Sequence, residues 1–399
     1  MQSNIKHIKL SEVADVIDSL HQTPKYCNKG IPMVRVTDVR AGDLDLTNCL
    51  MVSAEDYEKY SAKHKPQIGD IIISRVGSYG IFSYVASSKA FCLGQNTAII
   101  SPKINSRYLY YILSSFFVRQ QIEQMVVGST QKTISLKNIK DLQIPLFDEK
   151  EQDQIAQILE SIDKKIAVNK QINDNLQQQL RAIFMERFTN NPVLESIQQV
   201  PLSELCSVVT KGTTPTTLGK PFVDRGINFL KAESILDNHS LDKGKFAHID
   251  EETHDMLKRS VIYAGDIVFT IAGTLGRFAL IDSDILPANT NQAVAIIRAD
   301  KGKISPEYLY ACFIGNWHND YYSKRVQQAV QANLSLTTIK SLPIPVLTQD
   351  EMVSYMALIS PIIKMLKQNE MENERLAALR DTLLPRLMSG EVDVSDIDI

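Results

Sequence analysis

Residues Gly69–Val85 read GDIIISRVGSYGIFSYV, and residues Gly265–Ile281 read GDIVFTIAGTLGRFALI. Gly69, Gly77 and Gly80 fall on Gly265, Gly273 and Gly276, so spacing returns along with residue type. Outward from this pair the matches continue in order. LSEVADV from Leu10 returns as LSELCSV from Leu202, and GIPMVRVTDV from Gly30 as GINFLKAESI from Gly226. GQNTAII, with Gln95, parallels TNQAVAII, with Gln292. YLYYIL at Tyr108 parallels YLYACF at Tyr308, and ISLKNIKDLQIPL, ending at Leu146, parallels LSLTTIKSLPIPV, ending at Val346. The offset drifts only from 192 to 200, which is a tandem duplication rather than coincidence.

Each copy has the same internal order. Short apolar runs such as DIIISRV and DIVFTIA predict strands, and the glycine-rich turns between them suit tight bends or close backbone approach. A helix is predicted around Tyr108 to Met125 and again from Pro306 to Val326, followed by a polar loop and a short IPL or IPV strand. The proline places that strand at an edge or an end. The period then changes. From Glu149 to about Phe188 there is no Pro or Gly, and Ile155, Leu159, Ile162, Ile166, Ile172, Leu176, Leu180 and Ile183 recur mostly at steps of three and four. The second copy, Asp350 to Leu384, offers Met352, Met356, Ile359, Ile363, Leu366, Leu376, Leu379 and Leu383, with a kink or a shifted start expected at Pro361. Asn169 and Asn173 fall over Asn369 and Asn373; they suit either register-fixing positions in a helix pair or a solvated flank.

The fold class is therefore α+β. Two tandem-duplicated α/β domains, 1–147 and 191–346, are joined by long helices at 148–190 and 347–390, with a tail at 391–399. Helices of this length span roughly 50–60 Å, more than one small domain covers. Duplicate halves favour antiparallel pairing of the two helices as a coiled coil about a pseudo-two-fold axis, a rod that would hold two heads at fixed separation.

Composition excludes several classes. The 399 residues are 44% hydrophobic and 22% charged with a net charge of −3, an ordinary globular balance. Residues 1–147 hold 17 Lys and Arg against 12 Asp and Glu, whereas 347–399 hold 5 against 10, so this is no non-specific nucleic-acid coater. Five scattered cysteines without a CxxC pair read as reduced thiols with no zinc site. No signal-peptide core or membrane span is apparent, and a cytoplasmic protein is expected.

Catalytic motifs fail in turn. KGTTPTTLGKPF from Lys211 has six residues between Gly212 and Gly219, and Pro221 where a phosphate-binding loop needs Ser or Thr. The GxxG spacings lie between strand-like runs rather than opening a helix. No Pro-Pro dipeptide supplies the NPPF- or DPPY-like tetrapeptide of adenine-methylating enzymes. His7, His21, His64, His239, His248, His254 and His318 show no metal-binding spacing. Asp148 and Lys150 in FDEK read as a helix start.

The duplicated loops are better candidates. SRVGSYG and TIAGTLG keep their glycines and vary between them, with Arg75 opposite Ile271, Ser78 opposite Thr274, Tyr79 opposite Leu275 and Ile81 opposite Arg277. One scaffold with different tips suits two readers of different sequences. Arg grips guanine and Asn or Gln grips adenine by paired hydrogen bonds. The DNA-contact candidates are thus Arg75, Ser78, Tyr79, Gln95, Asn96, Gln131 and Lys132 in the first copy. Those of the second are Thr274, Arg277, Asn289, Asn291, Gln292, Gln331 and Asn333. Taken singly, such residues equally serve turn hydrogen bonds; as a set they point to DNA.

KGTTP at Lys211–Pro215, GDI at Gly69 and Gly265, and the two polar-loop-to-IPL transitions are joined by RAIFMERF ending at Phe188 and LLPRLMSGEVDV from Leu383. In this order the chain resembles the specificity (S) subunit of type I restriction-modification systems over nearly its whole length. One departure is SLHQTP at Ser19–Pro24, which lacks the glycine the family often places before Thr-Pro. The resemblance implies a protein without catalysis of its own, in which each globular domain is a target-recognition domain reading half of a bipartite, asymmetric site in double-stranded DNA. The helices would set the spacer and dock two modification (M) subunits. S-adenosylmethionine, ATP and magnesium would belong to those and to the restriction (R) subunits. A duplicated coiled-coil adaptor for protein or RNA, or a DNA methyltransferase in its own right, are the alternative readings.

Overall fold

The computed structural model describes residues 6–127, 132–188, 197–317, 321–322, 333–392 and 394. They form two compact units, Met1–Ala167 with Asn373–Ile399, and Val168–Glu372. Each long helix, Glu149–Phe188 and Gln349–Met388, contributes one part to each unit.

In the first unit the run DIIIS becomes the strand Ile71–Ser74, buried throughout. It pairs antiparallel with Thr97–Pro102, which pairs on its other side with Ala14–Asp18. Phe82–Tyr84 and Gly42–Asp43 complete a five-stranded sheet. Alternation along the strands divides the core. Ile71, Ile73, Ala98 and Ile100 join a core with Tyr108, Leu109 and Ile112 of a helix and with Ile155 and Leu159 of the first long helix. Ile72 and Ile99 face the other way, toward Val34, Phe91 and Leu93 at a second, four-stranded sheet. A continuous apolar run is what a strand covered on both faces requires.

The second unit repeats this plan. Ile267–Thr270, Val294–Ala299 and Cys206–Lys211 pair antiparallel in the same order. Ile267, Phe269, Ala295 and Ile297 face Tyr308, Phe313, Phe184 and Ile359, while Val268, Val294 and Ile296 face Leu230 and Ile281. The proline-bearing strands are edge strands, as their sequence requires: Gln143–Leu146 pairs with Lys6–Lys9, and Pro343–Pro345 with Gln199–Pro201, in sheets of two. Tyr108 and Tyr308 each donate a hydroxyl hydrogen bond of 2.8 Å to the carbonyl of Pro145 or Pro345.

Three expectations need correction. The helix expected from Tyr108 to Met125 is two, Ser106–Leu113 and Phe116–Met125, because Ser115 breaks the run and caps the second by accepting from Val118 N. Its counterpart, expected from Pro306 to Val326, stops at Ile314; Gly315 follows, where a Cβ would lie 2.2 Å from the Phe184 ring, Tyr321 and Tyr322 are again helical, and 318–320 and 323–332 lie outside the described residues. Of the kink or shifted start expected at Pro361, the shifted start is not found: the second long helix begins at Gln349 and runs through the proline, with Ile359, Ile363 and Leu366 buried near it.

Within the second unit the helix segments run antiparallel. Arg187 pairs with Glu351, and Asn173 donates to the Leu366 carbonyl at 3.2 Å and accepts from Asn369 at 2.7 Å. Leu176, Leu180, Phe184 and Phe188 meet Tyr355, Ile359, Ile363 and Leu366. In the first unit Asp163 meets Arg380 at 2.8 Å, and Ile155 and Leu159 share a core with Leu387 and Met388. Ile172 and Leu379, expected on the seam, are exposed, while Tyr355 joins it.

Candidate nucleic-acid interface

The loops after Ser74 and Thr270 close in the same way. Gly80 N donates to Ser74 O and Gly276 N to Thr270 O. The Ser74 and Thr270 hydroxyls accept from Ile81 N at 3.1 Å and Arg277 N at 2.9 Å. Gly77, Gly80, Gly273 and Gly276 all have positive φ, so the glycine spacing is a backbone requirement. Each loop is then tied to two others. Arg75 N donates to Asn96 O and Ile134 N to Arg75 O; in the second unit Ile271 N donates to Ala293 O and Leu334 N to Ile271 O. The antiparallel register Ala98 with Asp18, and Ala295 with Lys211, brings the entry turn to the same strand ends. Four loops, far apart in sequence, gather in each unit.

The entry turns differ. Gly212 N donates to Val294 O, and a Cβ on Gly212 would lie 2.0 Å from Thr290 O, so only glycine fits. Ser19 takes the corresponding place, with its N–H toward Thr97 O. Between Ser19 and Thr23 the chain spends three residues where Gly212 and Thr214 are separated by one. The longer turn is how the first unit manages without the glycine. Both turns end alike: Gln95 Nε2 donates to Thr23 Oγ1 at 3.3 Å, and Thr214 Oγ1 donates to Gln292 Oε1.

In the first unit Ser78 is exposed at the loop tip. Tyr79 donates to Glu123 at 2.8 Å and accepts from Lys132 Nζ at 3.3 Å, a contact that raises the Lys132 pKa. Gln95 is half-buried, and Asn96, at φ 63°, occupies the left-handed region that asparagine tolerates. Arg75 departs from expectation: its guanidinium is mostly covered, paired with Asp18 and donating to Ile134 O at 3.3 Å. Gln131 lies outside the described residues.

In the second unit Thr274, Gln292 and Asn333 are exposed, and Asn291 accepts from Ala293 N at 3.1 Å. Asn289 is a correction: it is fully buried, its side chain spent on His254 and on the Leu257 carbonyl, so it frames the site and offers nothing to a ligand. Arg277 likewise holds Asp237 with bonds of 2.6 and 2.8 Å. Gln331 lies outside the described residues.

Sequence reasoning missed Thr23, Thr214 and the exposed cations Lys211 and Arg259, the latter donating to Thr213 Oγ1 at 3.1 Å. The recurrence of Thr-Pro after the first core strand, in HQTP and GTTP, was the available signal. Of the four asparagines, Asn169, Asn173 and Asn369 belong to the second unit's helix segments, where Asn169 donates to Glu372 at 2.7 Å; Asn373 is half-buried in the first unit. Among the described residues no three His, Cys, Asp or Glu side chains gather as a metal would require, and no helix is long and apolar enough to cross a membrane.

The family model described as "Type I restriction modification DNA specificity domain" matches residues 2–178 and again 195–376. The chain is 22% identical over 335 residues to the type I restriction enzyme MjaIX specificity subunit of Methanocaldococcus jannaschii, covering 79% of this chain and 76% of that one. It is 23% identical to the HindI specificity subunit of Haemophilus influenzae, covering 83% and 88%. The crystal structure of a type I restriction-modification S subunit from M. genitalium shares its fold, with a TM-score of 0.54 at 16% identity over 97% of each chain.

Proposed function

The chain belongs to the type I restriction modification DNA specificity family, and from that premise we propose that each of its two units reads one half of a bipartite, asymmetric DNA site. The observation that carries the reading is the pair of four-loop clusters, alike in backbone and unlike at their tips. Residues 1–147 and 191–346 act as the two target-recognition domains. Ser78, Tyr79, Gln95, Asn96 and Lys132 face one half-site, and Thr274, Asn291, Gln292 and Asn333 the other. Base edges in the major groove reward such donors and acceptors, whereas phosphate contacts only position the protein. Arg75, Arg277 and Asn289 hold the loops in place instead of reading bases. The long helices set the spacer between half-sites and dock two modification subunits, with Asn169, Asn173, Asn369 and Asn373 fixing their register. Methyl transfer and cleavage, with S-adenosylmethionine, ATP and magnesium, reside on partner subunits, and this chain is non-catalytic.

The test is the methylome of cells that co-express the chain with a matching modification subunit, against cells lacking it. A new methylated motif in two parts with a fixed gap is expected. Replacing residues 1–147 by another such domain should change one half-site only, and inserting a heptad in the first long helix should change the gap only. Co-purification of the two proteins without any motif would overturn the reading.

A further inference from the structure

The two units have drifted far apart in sequence, so what they still share at the loop cluster is informative. The Thr–Gln contact is shared, and its surroundings are not. Thr23 meets Gln95 beside Arg75, Asp18 and His21; Thr214 meets Gln292 beside Ile271, Lys211 and Arg259. Each glutamine stands on the turn entering the central core strand, two residues before Thr97 or Val294, and each threonine on the turn leaving that strand's neighbour. The residue after each glutamine is stitched to the glycine loop, Asn96 O accepting from Arg75 N and Ala293 O from Ile271 N. A half-buried or exposed glutamine is thereby held at one point by a hydroxyl and at its backbone by the sheet.

An amide oxygen accepts two hydrogen bonds and an amide nitrogen donates two. The threonine uses one of these four on each glutamine, and among the described residues none of the other three is used within the unit. Gln95, which donates to Thr23, keeps two acceptor positions and one donor, and Gln292, which accepts from Thr214, keeps one acceptor and two donors. Each amide thus still offers an acceptor and a donor side by side, the pattern that pairs with N6 and N7 of adenine. Resting on the DNA-reading function proposed above, we infer that Gln95 and Gln292 read the same base, adenine, at equivalent places in the two half-sites. Thr23 and Thr214 are the positioning residues that aim them. The features common to both heads read what the half-sites have in common, and the differing tips read what distinguishes them.

The experiment is a binding selection with the complex of full chain and matching modification subunits, without methyl donor, on duplexes randomised through both half-sites. Gln95→Ala should lose about five- to hundredfold selectivity at one A·T pair of one half-site, and Gln292→Ala at the equivalent pair of the other. Gln95→Glu and Gln292→Glu keep size but lose the amide donor; Thr214 still donates to the carboxylate at 292, whereas at 95 the Thr23 hydroxyl must turn from acceptor to donor. Both should move preference from adenine toward cytosine, whose N4 donates. Thr23→Ala and Thr214→Ala should weaken the same preference, and Thr23→Ser and Thr214→Ser restore it, which a purely structural clamp would not do. Unchanged base preference, loss at a G·C pair, or uniform weakening across all positions in the glutamate variants would each overturn the inference. A wild-type complex that selects no two-part motif would instead overturn the function it rests on.

Discussion

Arg75 and Ile271 occupy the same place in two loops that share their backbone hydrogen bonds, yet one carries a charge and the other none. The charge is answered locally: Asp18 pairs with Arg75, and the residue in register with Asp18 in the second unit is Lys211, which is exposed. The first unit neutralises a cation beneath its loop, while the second presents one beside it. The same contrast appears under the GDI turns. Asp70 and Asp266 are equally buried and each caps its turn, but Asp70 takes His64 at 2.6 Å and Asp266 takes Arg298 through two bonds of 2.7 and 2.8 Å. The lesson is that glycines and backbone amides hold the frame, so that side chains can change in compensating sets without moving the loops.

The largest expected effect tests the buried aspartates. Asp266→Asn leaves a partly buried, permanently charged guanidinium without its carboxylate and should cost on the order of 3 kcal/mol in chemical denaturation. Asp70→Asn removes one carboxylate contact from His64 while an amide oxygen can still accept at the turn, and about 1 kcal/mol is expected. Equal costs would break the contrast.

A pH series sharpens it from another side. His239, in the second unit only, stacks on Phe278 at 3.9 Å, and burial pushes its pKa down to about 4. The unfolded chain takes up that proton near the ordinary value of about 6.5. Stability of the second unit is therefore full above that value and falls as pH drops toward 4, by about 2 kcal/mol near pH 4.5. Denaturation midpoints against pH should lose this slope in His239→Asn, a substitution suited to the positive φ of 65°.

Arg75→Ile should cost about 1–2 kcal/mol because it leaves the Asp18 carboxylate with His21 alone, and Asp18→Thr a similar amount because it leaves the Arg75 guanidinium with the Ile134 carbonyl alone. The double variant, which removes both charges together, should cost less than the sum; strict additivity would show that the pair is not a unit. The smallest effect belongs to the shared frame: Tyr108→Phe and Tyr308→Phe should each cost about 1 kcal/mol, and by the same amount, since both remove a 2.8 Å bond to a buried proline carbonyl.

Much of this was legible in the order of residues. Period and repetition act locally or by comparison along the chain, so the duplication, the strands at Ile71–Ser74 and Ile267–Thr270, the edge position of the IPL strands and the 40-residue helices were all there to be read. The break at Ser114–Ser115 was not, because an apolar period continues across a cap that only a hydroxyl closing on Val118 reveals. The site divides the same way. Glycine spacing marks a loop, since positive φ is a property of one residue. Whether Arg75, Arg277 or Asn289 is available depends on Asp18, Asp237 and His254, which lie 35 to 57 residues away and are brought near only by sheet register. Sequence alone determined the repeat, the elements and the loops that matter. Tertiary structure decided which side chains in those loops are spent on the protein itself, because burial and pairing are properties of neighbours in space.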